Sequence, residues 1–402
     1  MNQKQKNKII LILGGLSAMG PFSIDMYLPG FPAIAADLNT DISHVALSLT
    51  SYFIGISVGQ LIYGPLIDRF GRKNPLLIGL MIYIIAAIGC AFSPNIYGLI
   101  GLRLMLALGG CVGMVAGRAV VRDLFPVNES AKVFSMLMLV MGVAPIIAPT
   151  IGGIVTAALG WRYIFLILAV IAILMAYAVF KFLPESKGAD PTISLRLTSI
   201  VSKYAAVVKE PSFLPYAIGG GAASAGLFAY ISGAPFVFMN LFGLSPQHFG
   251  WIFAANAIGL ISGSQVNRHF LQIYGSLKVV RIMIVALFAV GVLLALASIL
   301  HIAGFFVVFL LVFSYLFCLG FLNPNTTSLA MEAFSKNAGS ASALLGSIQM
   351  LAGAAASGLV SRFHNGTTQP MTFVMAVCAT IGIVLLLSYI SIKLPAFSHK
   401  NG

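Results

Sequence analysis

The chain has 402 residues, of which 59% are hydrophobic and only 8% charged, and it carries a formal net charge of +13. A water-soluble domain of this size needs about 25% charged residues to cover its surface, so a soluble fold is excluded and most of the surface must face lipid. The apolar runs are continuous, as in Met283–Leu300 and Val374–Ile392. That excludes a β-barrel, whose strands alternate apolar and polar positions, and leaves an all-α integral membrane fold.

A crossing helix takes about 20 apolar residues. Twelve such blocks follow one another: 9–31, 45–66, 75–92, 97–117, 134–158, 162–183, 213–239, 248–267, 279–300, 303–330, 338–360 and 371–392. The first is too long for a signal peptide, and no small-residue cleavage site follows it. With the N-terminus placed in the cytoplasm, 20 of the 23 Lys and Arg fall on the inner side, Lys336 and Lys400 among them. Only Arg162 and Arg362 fall outside, and Arg103 lies within span 4. This alternation supports twelve transmembrane helices with both termini cytoplasmic. It also argues against a nucleic-acid partner, because the basic balance is spent on topology. Cys90, Cys111, Cys318 and Cys378 all lie in apolar spans, without metal-ligand spacing or a loop pair for a disulfide, and read as small core residues.

In chain order, span 1 carries Asp25-Met26-Tyr27-Leu28-Pro29-Gly30-Phe31-Pro32. The turn between spans 2 and 3 reads Gly64-Pro65-Leu66-Ile67-Asp68-Arg69-Phe70-Gly71-Arg72-Lys73. Gly64 lets a neighbouring helix approach closely. Asp68 can pair with an Arg and accept backbone donors at a helix start, and Gly71 permits a tight turn. Such a charge cluster can latch two halves in one state and release them in another; its Asp-Arg pair alone would read as a positive-inside loop.

Span 4 carries Arg103. Asp25 lies 16 residues from the inner end of span 1, about 24 Å at 1.5 Å per residue. Arg103 lies six residues from the outer end of span 4, which leaves about 21 Å to the inner face of a core about 30 Å thick. The two charges therefore fall at nearly one depth and can share a cavity. An ionisable residue inside a span is a functional candidate by default. Desolvation and a neighbouring cation act oppositely on a carboxyl, and a balance between them lets Asp25 load and release a proton. Arg103 stays charged and cannot be the carrier. A static ion pair stabilising the bundle is the alternative.

Span 5 contains Gly142, Pro145, Ala148, Pro149, Gly152 and Gly153 in the pattern Gly-x-x-Pro-x-x-Ala-Pro-x-x-Gly-Gly. Small-residue packing accounts for the glycines but poorly for two prolines, which soften the backbone bonding of a helix. Met136 and Met138, earlier in the same span, suit a repackable pocket. A polar stretch separates the two halves, giving an N-terminal six-helix bundle 1–185, a cytoplasmic linker 186–211 and a C-terminal six-helix bundle 212–402. Within the linker Leu197, Val201, Tyr204 and Val208 share one helical face, a pattern suited to the inner membrane surface; a floppy linker is the alternative. Span 8 ends on Gly263-Ser264-Gln265-Val266-Asn267-Arg268, an echo of Gly64–Arg69 that suggests a duplicated unit. Tyr27, Tyr230, Asn256, Asn323 and Gln349 are polar residues in apolar spans, suited either to a substrate cavity or to helix–helix hydrogen bonds.

The loop from Gly64 to Lys73 resembles the signature of the major facilitator superfamily, Gly-x-x-x-Asp-Arg-x-Gly-Arg-Lys/Arg. The span 5 pattern is similar to the motif of its drug/proton antiporters, with Ala148 standing where the family usually has Gly. Asp25 to Pro32, Arg103, Arg118, Arg122-Asp123, Trp161-Arg162 and Pro184-Glu185-Ser186 resemble the Bcr/CflA, or bicyclomycin-resistance, branch over essentially the whole chain. One departure is Leu106-Ala107, where many relatives have Gln-Gly.

The resemblance implies a monomer in a bacterial cytoplasmic membrane that works by alternating access, exporting varied, often lipophilic drug-like compounds in exchange for protons. A proton-coupled uptake carrier of a small metabolite on the same fold is the alternative. No Gly-x-x-x-x-Gly-Lys-Ser/Thr loop occurs, so ATP is not the driver; no cofactor or metal is expected, only the proton gradient. Without a catalytic Ser/His/Asp spacing or a cluster of His, Asp or Glu at one depth, the chain does not read as an enzyme.

Overall fold

The computed structural model describes residues 3–334 and 338–398; Lys336 and Lys400 lie outside them. Span 1 is a broken helix rather than one rod. α1 (Gln3–Asp25) stops inside the apolar block, a 3-10 turn follows at Leu28–Gly30, and α2 (Phe31–Asp37) completes the crossing. Pro29 and Pro32 lack an N–H and each falls in the first turn of a new segment, the position where that donor is not needed.

α3 (Ile42–Phe70) starts at Asp41, whose carboxylate accepts the His44 N–H at 2.9 Å. α4 (Lys73–Ala91) follows. α5 (Ile96–Leu124) starts at Asn95, which accepts the Gly98 N–H at 2.8 Å. α6 (Val127–Ala158) and α7 (Arg162–Phe182) follow. The chain continues through α8 (Leu197–Val208), α9 (Phe213–Ala234) with a π-helical extension Pro235–Leu241, α10 (Pro246–Ile299), α11 (Phe305–Met331), α12 (Ala338–Arg362) and α13 (Gln369–Ser398).

Eleven helical segments among the described residues are long and apolar enough to cross a membrane. One of them, α10, has 54 residues, about 81 Å at 1.5 Å per residue and more than twice a core of about 30 Å. Its backbone leaves helical geometry at Gly275, where φ is 69°, a left-handed value open to glycine. α10 is therefore two crossings joined at Gly275, which makes twelve.

The chain separates into two compact units. One holds Met1–Lys203 with Leu244–Ala254, the other Tyr204–Gly243 with Ala255–Gly402. In the first, α3 and α4 pack on α5, and α1 packs on α5, α6 and α7. A Cβ at Gly59 would stand 2.9 Å from that of Cys111, and one at Gly109 would stand 2.5 Å from the Tyr83 backbone nitrogen. These helices touch backbone to backbone, as small residues allow in lipid. The close approach expected at Gly64 is not there: a Cβ at Gly64 would meet nothing within 4 Å. The tight face of α3 ends at Gly59, and Gly64 lies five residues beyond it. In the second unit α12 and α13 both pack on α9. α10 and α11 interlock there, with Gly263 on the Phe317 carbonyl and Gly320 on that of Leu260.

Candidate functional site

Arg103 is fully buried, with 0% exposure. Its Nη1 donates to the Ser23 carbonyl at 2.7 Å. The guanidinium carbon stands 4.5 Å from the ring centroids of both Tyr27 and Tyr52 and 5.8 Å from that of Phe165. Aromatic faces stabilise a desolvated cation, and this cage is what lets α5 hold a charge in its core. The cage is itself fixed: the Tyr27 hydroxyl lies 3.0 Å from Ser48 Oγ, and the Ser23 hydroxyl 2.6 Å from that of Tyr83. Arg103 Nε and Nη2 have no hydrogen-bond partner among the described residues.

Asp25 closes α1 two residues beyond the Ser23 carbonyl. It is 4% exposed and the only buried acid among the described residues. No ion pair reaches it among them, and the salt bridge to Arg103 that would make it a static strut is not formed. Tyr52 lies within electrostatic reach of both Asp25 and Arg103, so the two charges do share one neighbourhood. That neighbourhood borders the span 5 motif. Gly152 of α6 faces the backbone of Met26, and a Cβ there would collide with the Met26 carbonyl oxygen and stand 2.8 Å from its carbon. Pro145 and Pro149 lie inside α6. Gly153 looks onto the first turn of α10, where a Cβ would stand 2.6 Å from the Pro246 oxygen; Gly250 returns the contact, with its own Cβ position 3.0 Å from the Pro149 oxygen. Gly142 is half-buried, while Met136 and Met138 are exposed.

The turn from α3 to α4 forms a second cluster. The Arg72 guanidinium donates to Asp68 at 2.5 Å and to Asp123, at the end of α5, at 2.9 Å. Burial works against its charge, and the bonds from Asp123 and Asp68 outweigh it, holding its pKa above the usual arginine value. Ser186 Oγ donates to the same Asp123 oxygen at 3.0 Å. The Glu185 carboxylate accepts the N–H of Arg72 at 2.7 Å and of Lys73 at 3.1 Å, at the start of α4. Gly71 makes this possible: its φ is +85°, and a Cβ there would stand 2.8 Å from Glu185 Oε2. Arg69 donates to the carbonyls of Pro191 at 2.8 Å and Ile193 at 2.5 Å, so the start of the linker is pinned to the loop. Lys73 Nζ donates to the Phe180 carbonyl at 2.8 Å.

Glu185 and Asp123 were missed as partners in the sequence. The signal was available, because the chain has only ten acids and both sit at span edges beside basic residues. Replacing Glu185 with Ala removes both bonds to the α4 N-terminus, a loss of about 1 kcal/mol. The thermal midpoint of the purified Glu185→Ala protein should fall by roughly 2–4 °C, measured by unfolding fluorescence in detergent; an unchanged midpoint would show that the cap adds nothing.

The candidate cavity residues divide. Tyr27 belongs to the Arg103 cage. Tyr230 and Asn256 meet in the second unit, where Asn256 Nδ2 donates to the Tyr230 hydroxyl at 3.0 Å. Asn323 accepts from Ser224 Oγ at 2.6 Å. Gln349 faces α9 near Gly221. Asn267, the counterpart of Asp68 in the repeat, accepts from Asn325 Nδ2 at 2.8 Å, so a neutral amide pair holds that position in the second unit.

A family model described as Major Facilitator Superfamily matches residues 13–357. An uncharacterized MFS-type transporter, YdgK, of Bacillus subtilis (strain 168) is 38% identical over 94% of this chain and 94% of its own length. A bicyclomycin resistance protein homolog of Haemophilus influenzae is 32% identical over 96% of each chain. Among solved structures, a bacterial homolog of the human lysosomal transporter Spinster superposes with a TM-score of 0.71 at 14% identity, covering 97% of both chains, which is a likeness of fold.

Proposed function

Because this chain belongs to the major facilitator superfamily, we propose that it is a proton-coupled exporter of small lipophilic, antibiotic-like compounds, driven by the proton gradient without a cofactor. The observation that carries this reading is Asp25, the one buried acid among the described residues, which ends α1, shares Tyr52 with the caged Arg103 and is followed directly by Met26, on whose backbone Gly152 of α6 packs. The resistance named for the Haemophilus influenzae relative supports the substrate class. The chain would act as a monomer in a bacterial cytoplasmic membrane with both termini inside, in keeping with its Lys and Arg distribution.

In this mechanism Asp25 takes up a proton from outside and yields it to the cytoplasm. Arg103 Nε and Nη2, without a partner among the described residues, receive the Asp25 carboxylate or a polar group of the substrate in the deprotonated state. Proton and substrate thus compete for one neighbourhood, which is what obliges exchange. The α3–α4 cluster governs the rate at which states interconvert, because its ion pairs must form and part. A growth-inhibition panel of varied antimicrobials, run in a pump-deficient host expressing the chain, tests the reading. Raised tolerance to several unrelated lipophilic compounds, with lower cell content of each, is expected. Energy-dependent accumulation inside the cell would mark an uptake carrier instead.

Asp68→Asn should leave membrane abundance unchanged and slow transport roughly fivefold. Asp68 is 46% exposed on its side chain, so solvent screens the pair to about 1 kcal/mol. Parental flux at equal abundance would remove the latch from the mechanism.

A further inference from the structure

The second unit carries a groove of about 520 Å³ that no part of the transport mechanism uses. It lies where α12 and α13 pack mainly on α9 and only lightly on each other. Ala222 and Ala225 of α9 form the floor, and Ala352 and Ala355 leave the α12 wall shallow. Two of the side chains that line it are themselves exposed, Phe363 at 63% and Val377 at 52%. Its size lies in the range of ligand sites, roughly 300–1,000 Å³, while its lining is apolar except near one end, where Asn365 and Gln369 sit.

That polar end coincides with the membrane edge. The crossing segments stop at Arg362 and resume at Gln369. From there the lining runs along α13 to Ile381, 12 residues further and about 18 Å, close to the roughly 15 Å of one leaflet's hydrocarbon. Arg362 is exposed and follows Ala355 by seven residues, so it shares the groove face of α12, and it makes no ion pair among the described residues. No lining residue is acidic, so nothing here attracts a cation.

An apolar channel of leaflet depth with an unpaired guanidinium at the headgroup level matches an amphiphile with an anionic head. We propose that the groove binds one phospholipid of the surrounding bilayer, with an acyl chain over Ala222 and Ala225 and the phosphate on Arg362. Guanidinium–phosphate contacts form two parallel hydrogen bonds, and the Gln369 amide stands beside them at the mouth.

The full-length protein, purified in mild detergent and supplied with dipalmitoyl phosphatidylglycerol, tests this by native mass spectrometry. One tightly retained lipid per chain is expected. Arg362→Gln should lower its retention about tenfold, the scale of one charge-assisted bond. Ala355→Trp should block the groove and remove the lipid, and Val377→Trp from the opposite wall should do the same if the first variant folds poorly. Val384→Trp, on an exposed part of α13 outside the lining, should retain lipid as the parent does. The proposal is overturned if Arg362→Gln and the groove variants hold lipid like the parent. It is also overturned if dipalmitoylglycerol, which has the chains without the phosphate, is retained as firmly. Displacement of the lipid by an exported compound would assign the groove to the substrate instead.

Discussion

Asp25→Asn should collapse proton-driven substrate accumulation to equilibrium while leaving substrate binding in place. At 100 mV one proton crossing inward supplies about 2.3 kcal/mol, which at 1.36 kcal/mol per factor of ten sustains roughly a 50-fold concentration ratio of a neutral compound. Asn keeps the shape of the side chain and removes its titration. The ratio should therefore fall to about one, and flux should lose its dependence on the pH gradient. Any counterflow that remains would be substrate-for-substrate exchange. The structural ground is that Asp25 is buried with no ion pair among the described residues, while the other nine acids lie at half-buried or exposed positions. Persistence of a 50-fold ratio in Asp25→Asn would move the coupling to another residue, with Glu332 the next to examine. Arg103→Ala should reduce the ratio too, since it removes the only fixed charge of the cage.

Gly152→Leu should stop export almost completely. A Cβ at this position would overlap the Met26 carbonyl oxygen and stand 3.0 Å from the Met26 Cα. These are backbone atoms at the break of span 1 and cannot swing aside as a side chain would. Overpacking of this kind costs about 1–3 kcal/mol or more, and the displaced segment is the one that presents Asp25. Export should fall at least tenfold, since 1.36 kcal/mol already corresponds to a factor of ten in rate. Gly101→Leu is the matched control, because a Cβ at Gly101 meets nothing within 4 Å. Comparable flux in the two variants at equal abundance would show that the α6–Met26 contact opens freely during transport.

Most of the crossings could be read from composition, because lipid forces each crossing segment to satisfy its own backbone and only helices do so here. The breaks could not. The apolar block of span 1 runs without interruption through Asp25, while the backbone changes from helix to 3-10 turn and back. At α10 the polarity of Arg268, His269 and Lys278 suggests a loop, yet the backbone stays helical on both sides of Gly275. Asp25 and Arg103 stand out in sequence because any charge in an apolar block does. Tyr52, Tyr83 and Ser23 do not, because hydroxyls are common in spans and the Ser23–Tyr83 pairing joins residues 60 positions apart. Glu185 reaches Arg72 across 113 positions, and no local pattern announces such a bond. Gly64 shows the reverse error. Its motif is complete, yet the packing it suggests lies at Gly59.

Proton-for-substrate exchange through Asp25 is the step on which export rests. Its most direct test is the purified parent chain in liposomes, with an imposed pH gradient and both fluxes followed, using the panel compound to which it gives the greatest tolerance. Opposite directions are expected: protons run down their gradient while the compound moves against its own, with at least one proton per molecule. Movement of both in the same direction, or compound flux indifferent to the gradient, would contradict it.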